Sequence, residues 1–200
     1  MQLSLFTQAV TAFREGRFGD AAVLKAVMLS PASDAAVEAS VAQLDDPLPD
    51  LSALTAQLKP EAGTLGWEYE QFIHSNKIKP LHTSPGLLER VGRSNLVAAR
   101  YVLLHDTFHV LLDFDISRCG ELAVWSFVAA QRYNVAYARA AMIASWFYPM
   151  LEPGSYHQLK QYRQRGLALG TQVPCLIAQP IEKLWTTPLN EVRTQLEIPK

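Results

Sequence analysis

The sequence predicts an all-α fold, and two features of its hydrophobic pattern support this prediction. Apolar residues recur every three or four positions through most of the 200-residue chain, which is the period of an amphipathic helix. No segment alternates between apolar and polar residues as a half-buried strand would. A chain of this length can build one domain around a hydrophobic core, so we predict a single helical domain over residues 1–200.

The first half of the chain is predicted to form five helices separated by turns that contain glycine or proline. Gly16 and Gly19 end the first helix, while Ser33 and Asp34 are candidate N-caps for the third. A long loop follows the fifth helix, and loops of such length are often binding segments. The predicted helices are Leu3–Phe13, Ala21–Leu29, Ala35–Leu44, Leu51–Leu58 and Gly63–Asn76, and the loop is Lys77–Gly92.

The second half is predicted to contain a central antiparallel pair of helices and two further helices. The pair consists of Asn95–Asp113 and Ser117–Tyr148, and its second member is expected to kink or break near Asn134. The helices Ser155–Gly170 and Ile181–Leu196 complete the fold.

The composition points away from nucleic-acid binding and from a membrane-spanning protein. The net charge is −1, without the basic excess that nucleic-acid phosphates attract. The longest apolar stretch, Ala140–Leu151, is interrupted by Ser145 and Pro149, whereas a spanning helix needs about 20 apolar residues. Cys119 and Cys175 lack CxxC spacing and are interpreted as reduced thiols. Because the N-terminal residues do not resemble a signal peptide, we expect a cytoplasmic protein, soluble or bound to a membrane face.

The most informative motif is a pair of histidines, His105 and His109, with acidic residues around it. A spacing of four places both imidazoles on one face of a helix, one turn apart, where they can reach a single ion, as in other HxxxH helices. Asp106 flanks the same surface. Glu121 follows after eleven residues, and a reverse turn near Asp115 would bring it level with His109. The four predicted metal ligands are therefore His105, Asp106, His109 and Glu121.

Two features support Glu121 as a ligand, and the set of donors constrains the metal. Ser117 is a good N-cap, which would place Glu121 in the first turn of a helix, where the helix dipole favours a carboxylate. Two imidazoles and two carboxylates suit zinc best, with iron and manganese as alternatives and magnesium as a poorer match. The competing interpretation is a hydrogen-bonded cluster without a metal, and Asp113 is either a spare ligand or a surface acid.

A stripe of residues after Glu121 is a candidate binding surface for a substrate. Trp125, Val128 and Arg132 follow Glu121 at helical spacing, apolar first and cationic at the end, and Tyr69 could supply a polar group. Core packing is the alternative for each of them. As a group, the aromatic residues of the same long element could line a tunnel for a lipid tail, and the segment around 140–151 is the predicted membrane-contact surface. These aromatic residues are Tyr133, Tyr137, Trp146, Phe147 and Tyr148.

The pattern HDxxH, followed by eleven residues and a glutamate, resembles the signature of the coenzyme Q (ubiquinone) biosynthesis protein four family. GTLGWEY at 63–69, VPCLIAQPIEKLW at 173–185 and LNEVRTQLEI at 189–198 extend the resemblance over roughly residues 5–198. Trp67 departs from the pattern, because a basic residue is expected there. The resemblance implies an all-helical protein of the ubiquinone pathway that binds a metal at the four residues named above. It further implies an organising role at a membrane surface, and an association with oxidative C1 decarboxylation of the quinone precursor.

Three hypotheses for the function follow. The first is a metal-dependent decarboxylase or hydroxylase that acts on prenylated precursors of the 4-hydroxybenzoate type. The second is a non-catalytic scaffold that binds an isoprenoid lipid, holds a structural metal and recruits other quinone-biosynthesis enzymes. The third, a helical phosphohydrolase of the HD type, is disfavoured because the sequence has no distant second His-Asp set. The expected partners are the prenylated precursor, the pathway enzymes and a membrane surface, and the expected assembly is a homodimer.

Overall fold

The computed structural model describes residues 2–30, 33–87 and 95–199. Within these ranges the chain forms ten α-helices and no strand, which confirms the all-α fold. The helices are α1 (Gln2–Arg14), α2 (Phe18–Leu29), α3 (Ala35–Ala42), α4 (Leu51–Leu58), α5 (Leu65–Ser75), α6 (Leu96–Leu112), α7 (Arg118–Ala130), α8 (Val135–Leu151), α9 (Tyr156–Gln172) and α10 (Leu189–Gln195). Three short 3-10 turns lie at Pro153–Ser155, Leu176–Ala178 and Ile181–Leu184.

The first five helices agree with the sequence predictions, the largest difference being that α2 begins at Phe18 rather than Ala21. The Asp34 side chain accepts hydrogen bonds from two backbone N–H groups and is the N-cap of α3. Ser33 instead donates to the side chain of Asn95 at 2.9 Å. Residues 77–86 are not helical, as predicted for the long loop, and residues 88–92 of that loop lie outside the described residues.

Both ends of the central helix α6 are held by side chains. Asn95 accepts a hydrogen bond from the Ala98 N–H at the first turn. At the last turn, Arg193 and Arg165 donate to backbone carbonyls that have no partner within the helix, where positive charge is also favoured by the helix dipole. The carbonyls belong to Val110 and Leu111 for Arg193, and to Leu112 and Asp113 for Arg165.

The long helix predicted after Ser117 is broken near Asn134, as the sequence indicated. The helix α7 ends at Ala130, Arg132 adopts a left-handed conformation with φ of 58°, and Asn134 accepts hydrogen bonds from two N–H groups of α8. Asparagine is one of the preferred N-cap residues, so a second helix starts here rather than the first continuing.

The helix α7 packs most extensively against α9, and two glycines of α9 allow the close approach. A Cβ atom placed on Gly166 would lie 2.1 Å from the carbonyl oxygen of Ala123, and one on Gly170 would lie 2.5 Å from that of Phe127. Only residues without side chains fit at these two positions. The resulting contact fixes the helix that carries Glu121.

The prediction of one helix over Ile181–Leu196 was wrong. A 3-10 turn at Ile181–Leu184 is separated from α10 by a turn and a bend that end at Pro188, which has no N–H to donate. The N–H groups of Leu65 and Gly66 donate to the carbonyls of Thr187 and Trp185. These two carbonyls would accept hydrogen bonds within a continuous helix, but here they are bonded to the start of α5.

The ring of Trp185 lies buried at this junction. Its Nε1 donates to the Thr55 hydroxyl at 2.9 Å, and its centroid is 5.1 Å from that of Tyr69. A Cβ on Gly66 would come within 2.6 Å of the indole. The GTLGWEY segment at 63–69 and the pair Leu184–Trp185 therefore form one packing unit, in which Gly66 and Tyr69 contact the indole ring of Trp185. Among the described residues, no helix is both long enough and apolar enough to cross a membrane.

We predict that Gly166→Ala destabilises the protein, because the added methyl meets the backbone of α7 and forces the two helices apart. Overpacking of this kind typically costs about 1–3 kcal/mol. Chemical denaturation monitored by circular dichroism measures the change. Gly154→Ala is the control, since nothing lies within 4 Å of a Cβ at that position. Equal free energies of unfolding for the two variants would contradict the proposed close contact.

Candidate metal centre

His105, His109 and Glu121 converge where α6 and α7 meet. A possible ligand atom from each of the three lies within 4.8 Å of the others. The Nε2 atom of His105 is 3.4 Å from one carboxylate oxygen of Glu121, and Nε2 of His109 is 3.5 Å from the other. As predicted, the turn between the helices brings the glutamate level with both histidines.

Each imidazole is oriented by an acceptor on its other nitrogen. Nδ1 of His105 lies 3.2 Å from a carboxylate oxygen of Asp106, and Nδ1 of His109 lies 3.2 Å from the carbonyl oxygen of Phe114. In metal sites this arrangement leaves Nε2 free to coordinate and fixes the plane of the ring. Both Nε2 atoms accordingly face the carboxylate of Glu121.

The residues present fit a divalent ion. Nε2 of His109 is buried and has no hydrogen-bond partner among the described residues, although an unpaired buried polar atom normally costs about 1–3 kcal/mol. Two imidazole nitrogens and a carboxylate are the donors that zinc and related divalent metals prefer. The Ser117 hydroxyl caps α7 by accepting from the Gly120 N–H, so the carboxylate lies at the positive end of that helix.

The charges within the cluster shift the pKa values of two of its members. Burial favours neutral His105, but its contacts with Asp106 and Glu121 outweigh this and raise the pKa of His105 to about 9. Burial also favours the neutral acid for Glu121, and its contacts with both histidines lower the pKa of that carboxyl to about 2. A proton on His105 therefore balances the carboxylates of the cluster at neutral pH, and a metal ion would have to displace it.

Aromatic rings form the walls around the histidines. Phe72 stacks on His109 with centroids 5.6 Å apart, and Tyr101 meets His105 edge to face at 5.7 Å. Neither residue was singled out from the sequence. Tyr101 could have been found, because it lies one helical turn before His105 on the same face, whereas Phe72 comes from another helix and carries no such signal.

The structure places the remaining predicted residues as follows. Asp106 lies against His105 but outside the group of three donors, so its role as a direct ligand stays a prediction. Asp113 ends α6 in a left-handed conformation with its side chain 79% exposed, as expected for a surface acid. Trp125 is half-buried on α7, four residues after Glu121, with its ring 6.4 Å from that of Tyr148.

The predicted stripe beyond Trp125 does not continue as an open surface. Val128 is fully buried in the core, and Arg132 is exposed past the end of α7, where the chain has left the helix. Tyr69 is buried against Trp185, and burial together with the charges of Asp106 and Asp50 raises the pKa of its hydroxyl. The roles of Trp125, Tyr69 and Arg132 in substrate binding stay predictions, and Arg132 lies beyond the end of α7.

Comparison with known proteins places the chain among ubiquinone biosynthesis proteins. The sequence model of the family described as "Coenzyme Q (ubiquinone) biosynthesis protein Coq4" matches residues 47–200. Rat "Ubiquinone biosynthesis protein COQ4 homolog, mitochondrial" is 30% identical over 151 residues, which are 74% of this chain and 54% of that protein. The zebrafish homologue is 31% identical over 153 residues, or 74% and 53% of the two chains.

The human homologue is 26% identical over 144 residues, with 71% of this chain and 52% of that protein covered. The chain thus spans about half the length of the curated relatives it matches. A crystal structure titled as a putative ubiquinone biosynthesis protein from Nostoc punctiforme has the same fold, with a TM-score of 0.60 at 21% identity. That alignment covers 100% of this chain and 97% of the other.

We predict that the chelator-treated protein loses stability as the pH rises from 6.5 to about 9. A histidine whose pKa is raised by folding stabilises the folded state below its ordinary pKa, and this contribution disappears as the pH passes the folded value. Thermal melting across this range measures the effect. His105→Gln should abolish the dependence and His157→Gln, at an exposed position, should preserve it. A His105→Gln profile that parallels the wild type would contradict the ion pair with Glu121.

Proposed function

The chain belongs to the coenzyme Q (ubiquinone) biosynthesis protein Coq4 family, and we propose that in this pathway it binds a divalent metal and a prenylated quinone precursor together. The observation that carries the proposal is the convergence of two Nε2 atoms and one carboxylate from α6 and α7. Zinc is the proposed metal, with iron, manganese and magnesium as alternatives. His105, His109 and Glu121 would hold it, and Asp106 is the fourth candidate ligand.

The proposed reaction is oxidative decarboxylation at C1 of the precursor ring. The carboxyl group leaves as carbon dioxide and a hydroxyl takes its place, which is a two-electron oxidation of the ring. We propose dioxygen as the oxidant, so that the acid, dioxygen and water give the phenol, carbon dioxide and hydrogen peroxide. A bound metal would supply Lewis acidity toward a ring hydroxyl or carboxylate. The chain's own residues would orient the ring: Phe72 and Tyr101 wall the histidines, while Trp125 and Tyr148 lie beyond Glu121.

The alternative is a scaffold whose metal is structural and whose surfaces recruit other quinone-biosynthesis enzymes. One observation favours it: many residues of the ligand helix α6 belong to the main hydrophobic core. A metal that joins α6 to α7 would therefore stabilise the whole fold. Against an HD-type phosphohydrolase, the described residues bring together a single group of this kind, without a second His-Asp set.

The helix α8 supports the proposal of a peripheral membrane surface. Its exposed apolar side chains include Trp146 at 79%, Met150 at 76% and Ile143 at 63% exposure. A groove of about 310 Å³ between α8 and α9 has Trp146 at one wall and the cationic residues Lys160 and Arg163 at the other. Aromatic and apolar groups beside cations are typical of helices that lie on anionic lipid surfaces. The isoprenoid tail, the homodimer and the cytoplasmic compartment stay predictions.

We predict that wild-type protein carries about one equivalent of divalent metal and that His105→Ala/His109→Ala carries none, as measured by elemental analysis. His157→Ala is the matched control, because its imidazole is exposed and does not belong to the group of three donors. If the metal is catalytic, the loaded wild type releases carbon dioxide from a prenylated 4-hydroxybenzoate-type acid under dioxygen, while the double variant does not.

Glu121→Gln separates the two roles. A catalytic metal predicts lost turnover at an almost unchanged melting temperature, and a structural metal predicts a large fall in melting temperature that chelator reproduces in the wild type. Metal content that survives the double substitution would remove the proposed site altogether.

For the membrane surface, we expect Trp146→Glu/Met150→Glu to weaken binding to vesicles that contain anionic phospholipid by about tenfold or more, since two apolar side chains leave the lipid. Vesicle co-sedimentation measures the affinity. The control is Phe6→Glu/Phe13→Glu, which introduces the same two negative charges at residues of α1 that are 54% and 64% exposed. An equal loss in the control, or no binding by the wild type, would refute α8 as the contact.

A further inference from the structure

Tyr101 carries a buried hydroxyl group that the fold leaves unused. Its side chain is 5% exposed, and its hydroxyl oxygen has no hydrogen-bond partner among the described residues. Buried polar groups are nearly always paired. A buried phenol without a partner, next to a histidine whose ring is also adjacent to the unpaired buried nitrogen of His109, therefore indicates a place where something else supplies the acceptor.

The two neighbouring tyrosines show the contrast. Tyr133 accepts a hydrogen bond from the Ile177 N–H at 2.9 Å and donates to Gln131 at 3.2 Å. Tyr137 is hydrogen-bonded to Ser30. Their rings lie 6.4 Å and 4.7 Å from that of Tyr101. Of this group of three, Tyr101 alone is both unpaired and in ring contact with a histidine of the metal cluster.

Tyr101 lies directly beside the metal centre. It lies one turn before His105 on α6, and its ring meets the imidazole edge to face with centroids 5.7 Å apart. Burial, Tyr137 and the charges of Glu121 and Asp106 all raise the pKa of the Tyr101 hydroxyl. A phenol is protonated at neutral pH, so the Tyr101 hydroxyl serves as a hydrogen-bond donor.

We infer that Tyr101 is a ligand-binding residue, whose hydroxyl donates a hydrogen bond to an anionic oxygen of the aromatic molecule bound at the metal. The inference rests on the proposed function, since it requires an ion held by His105, His109 and Glu121. The ligand class follows from the surroundings: a protonated phenol selects an oxygen acceptor, and the aromatic walls select a flat ring that bears it.

Cobalt(II) in place of zinc makes the site visible, because its absorption bands report both the ligand set and the binding of a further molecule. The probe is 4-hydroxybenzoate, titrated into cobalt-loaded protein while the bands are followed. Tyr101→Phe removes only the hydroxyl. We expect the same cobalt stoichiometry and the same bands before addition of the probe, and a dissociation constant for the probe raised about tenfold, as for loss of a hydrogen bond to a charged acceptor.

Tyr133→Phe is the matched control, because it makes the same chemical change at a hydroxyl that already has partners. It should lower the melting temperature and leave the affinity for the probe unchanged, whereas Tyr101→Phe should not lower the melting temperature of the chelator-treated protein. Unchanged probe affinity in cobalt-loaded Tyr101→Phe would overturn the inference and show that the hydroxyl meets a buried water, with the metal site intact. Failure of the wild type to bind cobalt would overturn the proposed function and the inference with it.

Discussion

The buried guanidinium of Arg100 holds the central helix α6 in place. It is fully buried and lies 2.8 Å from a carboxylate oxygen of Glu182, and its remaining donors reach four backbone carbonyls, of Asp46, Pro47, Ile177 and Gln179. Breaking a buried charge pair by removing one partner costs about 3–5 kcal/mol, so α6 cannot rotate or slide without a large loss. His109 is nine residues further on, about two and a half turns, and therefore lies on the face of α6 opposite Arg100. The interaction that anchors one face of the helix thus sets the direction of the histidines on the other.

The other helix of the site, α7, is fixed by close contacts between backbone atoms at positions occupied by glycine. The backbone of α9 at Gly166 and Gly170 touches the carbonyls of α7. A Cβ atom placed on Gly120 would lie 1.8 Å from the carbonyl oxygen of Asp115, so this position also has no room for a side chain. The turn between α6 and α7 is consequently tight, and it places Glu121, in the first turn of α7, level with the two histidines. Three ligands held by a buried charge on one side and by close backbone packing on the other need little reorganisation to receive an ion, which is the condition for a precise site.

The sequence predicted what depends on local spacing and missed what depends on distant contacts. The helical period located the first nine helices closely, and the cap residues Asp34, Ser117 and Asn134 act at or beside the predicted boundaries. The meeting of His109 with Glu121 followed from counting residues on either side of one turn. The single helix predicted over Ile181–Leu196 failed, because α5 captures the backbone around Trp185 through long-range hydrogen bonds that periodicity does not encode. For the same reason Phe72, which stacks on His109 from another helix, could not be foreseen.

The uneven burial of the three donors bears on whether a bound metal would be structural or catalytic. The side chain of His109 has no exposed surface, while His105 and Glu121 have 25% and 29% of their side-chain surface exposed. The cluster is therefore buried on the side of His109 and reaches solvent on the side of His105 and Glu121. A structural zinc site is closed by four protein ligands, whereas a catalytic site keeps one position for water or substrate. Asp106, the fourth predicted ligand, is already engaged in orienting His105. Recruiting Asp106 to the metal would release the imidazole that it positions. Three protein donors, two of which are partly exposed to solvent, therefore favour an exchangeable ligand over a closed structural site.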